Sequence, residues 1–295
     1  MSIPDLAVEI VNKTLKDANE DTARTIVLVG SKSAGKSHLL YSFLEKSETP
    51  RETLVLEYSF GRKSSQKPGM DKTICHVWEY GGKLEMLHSV LISVPIKGKF
   101  YFCIMVDLSK IKTIWNVLET CYQAMKENYS DSDYHPELVI IGGKYDIFKN
   151  YDSEIKKVIS TTMRSFALIS NGNLLFYSSK EPQLVRRAKE MFFNMGFGNG
   201  VSLKEKNTNY SKPLSISKGQ DTWENIGIPQ STLDQIKQRH ISRITPEMDI
   251  NQEVKPLQRS HPEPILDSLA TLKYDELRNM EHFDPALNEY LMLIN

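Results

Sequence analysis

Apolar residues arrive in two rhythms along this chain. Between Thr25 and about Gly196, short runs rich in β-branched and aromatic residues alternate with longer stretches whose apolar positions recur every three or four residues. The first rhythm predicts strands at Thr25–Val29, Thr53–Phe60, Thr73–Tyr80, Phe100–Asp107, Leu138–Gly142 and Asn173–Tyr177. The second predicts helices at Lys36–Lys46, Lys110–Tyr129, Glu154–Ile169 and Pro182–Met195. Within Lys110–Tyr129, for instance, Ile114, Val117, Leu118, Cys121 and Met125 share one face, and Pro182 suits the first turn of its helix. Strands and helices in alternation imply an α/β fold around a mostly parallel, six-stranded sheet.

The pattern changes after Gly196-Phe197-Gly198-Asn199-Gly200, where Ser, Asn, Gln, Lys and Pro dominate and no regular alternation survives. The expected division is an N-terminal segment 1–22, a globular domain 23–199 and a partly helical or disordered extension 200–295. Two helices are predicted in the extension, at Ser231–Ser242 and Pro264–Glu281. In the second, Ile265, Leu266, Leu269, Leu272, Leu277 and Met280 form an interrupted apolar stripe that one helix cannot bury alone. A partner groove is its expected cover.

Charge narrows the partners: 37 basic residues balance 37 acidic ones among 295, so the chain lacks the positive field that would draw it to nucleic acid or an anionic membrane. Its first twenty residues contain no apolar core of a secretion signal, and no apolar run approaches the ~20 residues of a membrane span. An intracellular, soluble protein is expected. Three cysteines, Cys75, Cys103 and Cys121, have no metal-ligand spacing and read as buried reduced thiols.

Chemistry enters at Gly30-Ser31-Lys32-Ser33-Ala34-Gly35-Lys36-Ser37, which follows the apolar Ile26–Val29 run and opens a helix. Such a loop binds phosphate because Gly30 and Gly35 let it turn tightly and aim amides, Ser33 included, inward, while the next helix begins at the same point. Lys36 is expected to reach the β and γ phosphates and Ser37 to ligate magnesium. GTP/GDP or ATP/ADP with magnesium is the expected ligand; a loop that keeps its shape without one is the alternative.

Three further places stand at predicted strand ends. Glu79-Tyr80-Gly81-Gly82 offers a second magnesium-side carboxylate, Glu79, with Gly82 where a γ-phosphate amide belongs and Lys83 where hydrolytic switches carry a water-orienting Gln. Gly143-Lys144-Tyr145-Asp146 matches the guanine-reading Asn-Lys-x-Asp without its Asn, leaving Lys144 and Asp146 to meet the base. Ser178-Ser179-Lys180 matches the turn that backs it, so Ser179 and Lys180 complete the expected nucleotide set. In this order the four motifs reproduce a Ras-like GTPase. Lys83 removes a contribution to hydrolysis measured in powers of ten, and no arginine finger replaces it. A nucleotide kinase would need an Arg-rich lid, for which only scattered Arg51, Arg62 and Arg164 are available.

Beyond the motifs, Leu54-Val55-Leu56-Glu57-Tyr58-Ser59-Phe60-Gly61-Arg62, Trp78–Gly82, Val106–Lys110 and Val139–Phe148 resemble the light intermediate chains of cytoplasmic dynein, most nearly the ciliary dynein 2 form. The likeness covers about Ala23–Ile228, including Lys212-Pro213-Leu214. It implies a non-catalytic subunit whose Ras-like domain docks on the dynein 2 heavy chain alongside other dynein subunits, serving retrograde intraflagellar transport and cilium assembly. It also implies a location in the cytoplasm, on the cytoskeleton and in the cilium, at axoneme and basal body. The Lys126–Pro136 segment is short for that family, and the tail is brief for dynein 1 type adaptor helices. An active GTPase-type switch is the alternative function.

Overall fold

The computed structural model describes residues 23–63, 73–130, 135–246 and 264–279. The expected N-terminal segment 1–22 lies outside them. Seven strands form one sheet: β1 (Ala23–Gly30), β2 (Leu56–Lys63), β3 (Thr73–Tyr80), β4 (Lys99–Asp107), β5 (Glu137–Gly143), β6 (Asn173–Phe176) and β7 (Ser215–Ile216), in the order β2-β3-β1-β4-β5-β6-β7. Every neighbouring pair from β3 to β6 is parallel, while β2 and β7 run antiparallel at the two edges. This is the mixed sheet of a Ras-like P-loop domain.

β1 and β4 carry continuous apolar runs, Ile26–Val29 and Phe100–Val106, and are buried along almost their whole length, as central parallel strands between two helical layers must be. One layer contains α1 (Lys36–Leu44) and α6 (Pro182–Phe197). It packs Leu39, Phe43, Met191 and Phe192 on the Ile26, Leu28 and Cys103 side of the sheet. The other contains α2 (Leu87–Leu91), α3 (Ile114–Tyr129) and α5 (Ser153–Ile169), with Leu87, Leu118, Met163 and Phe166 on the Val27, Phe102 and Ile104 side. The predicted helix from Lys110 begins instead with a 3-10 turn, Ile111–Thr113, and α2 was not anticipated. All three cysteines are buried and free, and burial pushes the Cys75 and Cys121 thiols up to about 12.

Two expectations need correction. The second strand begins at Leu56, three residues later than predicted, because Thr53 turns inward toward the phosphate loop and its carbonyl lies against Gly81. The compact unit also continues past the glycine cluster through the described residues to 246. β7 adds a seventh strand beside β6, and short helices α7 (Trp223–Ile226) and α8 (Leu233–Arg243) follow. This stretch contributes single buried residues, Leu214, Ile216, Ile236 and Ile244, instead of an apolar run. Arg164 on α5 holds Asp221 through two hydrogen bonds of 2.7 Å, both side chains being buried, and α8 packs on α5 with Thr162 Oγ1 3.1 Å from His240 Nδ1.

Separately, α9 (Pro264–Asn279) belongs to a second unit and exposes Ile265, Leu266, Leu269 and Leu272. The side chains of Leu277 and Met280 lie outside the described residues. No helix among the described residues is long and apolar enough to cross a membrane.

Candidate functional site: the phosphate loop

The loop joins β1 to α1 across the centre of the sheet, where Gly30 (φ 123°), Ser33 (φ 60°) and Gly35 (φ 102°) adopt positive φ. Gly30 is required twice over: its φ is left-handed, and a Cβ there would lie 2.0 Å from Met105 O of β4. The loop is thus pressed onto the neighbouring strand, and Ser31 N donates to Met105 O at 2.8 Å.

Lys36 is almost fully buried and folds back over its own loop, donating to Ser31 O (2.7 Å) and Gly30 O (3.3 Å). Burial depresses its pKa, an effect that the Glu79 carboxylate opposes. Ser37 Oγ donates to Glu79 Oε1 at 2.7 Å. Burial in turn raises the Glu79 pKa; the Ser37 hydroxyl, the Lys36 ammonium and the Thr53 hydroxyl work against that rise, and Glu57 adds to it. A buried ammonium held only by carbonyls, beside a hydroxyl and a carboxylate, has the charge and donor set for a polyphosphate with a hard cation. Thr53 Oγ1 also donates to Glu57 Oε2 at 3.1 Å, so these oxygens converge from three elements. Ser37, Thr53 and Glu79 line a cavity of about 300 Å³ with Lys32, Glu52 and Gly81, and Lys32 pairs with Glu52 at 2.8 Å.

The base-side motifs lie apart from the phosphate loop. None of Lys144, Asp146, Ser179 and Lys180 lines that cavity. Lys144, held at φ 59° just before the short helix α4 (Tyr145–Phe148), turns its ammonium to the fully buried Asp107 carboxylate at the end of β4 (2.7 Å). Asp107 Oδ1 accepts in addition from the Ser109 amide and hydroxyl, at 2.9 and 2.6 Å. Asp146 accepts from Ser178 Oγ at 2.7 Å and pairs with Lys180 Nζ at 3.2 Å. Burial works to raise its pKa, but the Ser178 hydroxyl and the Lys180 ammonium more than offset this and hold it below the usual carboxylate value. Ser179 is exposed, and its neighbour Ser178 is buried against Asp146. The place of the missing Asn is filled by packing: a Cβ on Gly143 would lie 2.5 Å from Ala34 O and 2.8 Å from the Met105 side chain.

Thr53, Asp107 and Ser178 are contacts of the expected site residues that motif reading did not single out. Ser178 stood inside the quoted Ser178-Ser179-Lys180 string, whereas Thr53 is one of three hydroxyl residues, with Ser47 and Thr49, between α1 and β2 and carried no signal of its own.

A scan against protein-family models gives no match. Among characterised proteins, the chain is 30% identical to a zebrafish (Danio rerio) protein named cytoplasmic dynein 2 light intermediate chain 1, over 89% of this chain and 86% of that one. The Homo sapiens protein of the same name is 31% identical over 78% of this chain and 75% of its own length. A fission-yeast (Schizosaccharomyces pombe) protein, septum-promoting GTP-binding protein 1, is 24% identical over 52% of this chain and 73% of its own. The crystal structure of the dynein light intermediate chain's conserved domain superposes with a TM-score of 0.47 at 11% identity, over 74% of this chain and 88% of that one. With sequence identity of this level sustained along nearly the whole length, the chain belongs to the family of cytoplasmic dynein 2 light intermediate chains.

Proposed function

We propose that the chain is a non-catalytic subunit of the ciliary dynein 2 complex, binding and stabilising the heavy chain for retrograde intraflagellar transport and cilium assembly. It would work in the cytoplasm, on the cytoskeleton and in the cilium. The observation that carries this reading is the identity shared with dynein 2 light intermediate chains across nearly the whole chain. The site supports it from the other side: Lys83 stands where a water-orienting Gln belongs, and Gly143 brings no side chain to the base.

Nucleotide is a structural ligand in this reading. The amides of the Gly30–Ser37 loop and Lys36 would hold the phosphates of GTP/GDP or ATP/ADP. Ser37 and Glu79 would hold magnesium, which shields phosphate charge when bound. Lys144, Asp146, Ser179 and Lys180 would flank the base, with Asp146 sharing its carboxylate with Ser178. Any such ligand stabilises the fold by mass action.

The second reading is an active nucleotide switch, favoured by the convergence of Ser37, Thr53 and Glu79 and by the likeness to a GTP-binding protein. Co-expression with the dynein 2 heavy chain separates the two. In the subunit reading Lys36→Ala weakens nucleotide binding and leaves heavy-chain co-precipitation intact. A folded Lys36→Ala protein that loses the heavy chain supports the switch, and a wild-type chain that binds no dynein subunit overturns the subunit reading.

A further inference from the structure

The phosphate cavity has a wall that none of the four motifs supplies. Pro50, Arg51, Glu52 and Thr53 border it from the segment between α1 and β2, together with the loop residues Lys32, Lys36 and Ser37. That segment is fixed around Arg51. The ring of Pro50 locks its own φ, Glu52 is tied to Lys32 of the loop at 2.8 Å, and the buried Thr53 donates to Glu57 while its carbonyl lies against Gly81. Gly81 N donates in turn to Val55 O at 2.8 Å. Arg51 is therefore held at the cavity by its neighbours on both sides.

The Lys, Arg and carboxylate charges around this cavity do not cancel. Lys32, Lys36 and Arg51 border it against two carboxylates, Glu52 and Glu79. Both lysines are answered within the wall: Lys32 pairs with Glu52, and the Glu79 carboxylate acts on the buried Lys36 ammonium. Arg51 is exposed and has no hydrogen bond or ion pair among the described residues. An unpaired arginine on an open surface is ordinary, but this one stands beside a loop whose amides and buried lysine are suited to phosphate.

We propose that Arg51 is a phosphate-binding residue of this site, its guanidinium closing on the phosphate chain of the nucleotide. A guanidinium presents a planar fork of donors that matches two phosphate oxygens at once, whereas an ammonium acts as a point charge. Arg51 also brings the positive charge that no carboxylate of the wall answers, and a phosphate chain supplies its counterpart. The contact is made to the bound ground state, and Lys83 leaves no residue to orient an attacking water, so Arg51 adds affinity and not hydrolysis. The inference rests on the reading of nucleotide as a structural ligand of the loop.

The test is calorimetric titration of the full chain with GDP and with ADP, each with magnesium. A wild type that binds neither overturns the structural-ligand reading and this inference together. Where the wild type binds, Arg51→Ala is expected to weaken affinity about tenfold, and Arg51→Lys to recover part of the loss because the charge returns without the fork. The melting temperature without ligand should not change, since the side chain is exposed and unpaired. Phosphorus NMR of the bound nucleotide reads the contact itself: a phosphate resonance is expected to move between the wild type and Arg51→Ala. Unchanged affinity in Arg51→Ala overturns the inference while the structural-ligand reading stands. So does a loss of affinity that leaves every phosphate resonance in place, because Arg51 would then act away from the phosphate chain.

Discussion

Arg164 and Asp221, 57 residues apart in sequence, meet as a buried fork, with Nε and Nη2 each 2.7 Å from one carboxylate oxygen. Arg164 Nη1 adds a bond to Thr208 O at 3.3 Å. The pair ties the segment after Gly200 to α5. Breaking a buried pair leaves an uncompensated charge, so Asp221→Ala is expected to destabilise the domain by roughly 3 to 5 kcal/mol. Arg164→Met with Asp221→Leu should cost far less than either single change, a difference that denaturant unfolding of the three variants would read.

His240 gives the same segment a pH dependence. It is buried between α5 and α3, with its ring 6.0 Å from the Trp115 ring, and burial pushes its pKa down to about 4. The folded state thus favours neutral imidazole, whereas the unfolded chain takes up a proton near pH 6.5. The stability this contributes is present above pH 6.5 and is lost as pH falls toward 4. About 2 kcal/mol should disappear between pH 7.5 and pH 5. Melting curves of the wild type and of His240→Gln across that range check this; the variant should lack the extra slope.

At the phosphate loop, Gly143→Asn would write the missing guanine-motif residue back into the sequence. Its Cβ would meet Ala34 O at 2.5 Å, so the expected outcome is a loss of roughly 1 to 3 kcal/mol from overpacking and no gain in guanine nucleotide affinity. Calorimetric titration with GDP and magnesium, beside a thermal melt, decides it.

Hydrolysis should be absent from the wild type as well. Purified protein is expected to turn over GTP no faster than a Lys36→Ala, Ser37→Ala control, and Lys83→Gln alone should not raise the rate, since no arginine finger accompanies it. A multi-turnover phosphate-release assay reads both, and mass spectrometry of nucleotide released on denaturation identifies what the loop holds.

The α9 stripe is the expected partner contact in the second unit. Each Leu it buries against a partner would contribute roughly 1.5 to 3 kcal/mol before ordering costs, so Leu269→Asp with Leu272→Asp should cut heavy-chain co-purification sharply. Both residues are exposed, and the melting temperature should hold. Unchanged binding with a lowered melt would show that the stripe packs within its own chain.

What could be read without coordinates was what local chemistry dictates. Strand and helix periodicity follows from backbone geometry within a few residues, and the glycines of the phosphate loop are demanded by its own φ values, so the α/β order and the Gly30–Ser37 loop were legible. The motifs at strand ends were legible for the same reason: each is a short string at a predictable position.

Partner choice across long separations was not legible. Lys144 meets Asp107 across 37 residues, and Asp146 accepts from Ser178 across 32. Apart from the helix expected at Ser231–Ser242, the stretch from 201 to 246 showed no regular period because it contributes isolated buried residues and the one charge that neutralises Arg164, and such contacts leave no pattern along the chain. Whether the rings of β2 were core or surface depended on where the α2/α3 layer stopped. Alternation assigns Tyr58 and Phe60 to one face, but only the packing of distant helices determines whether that face is covered.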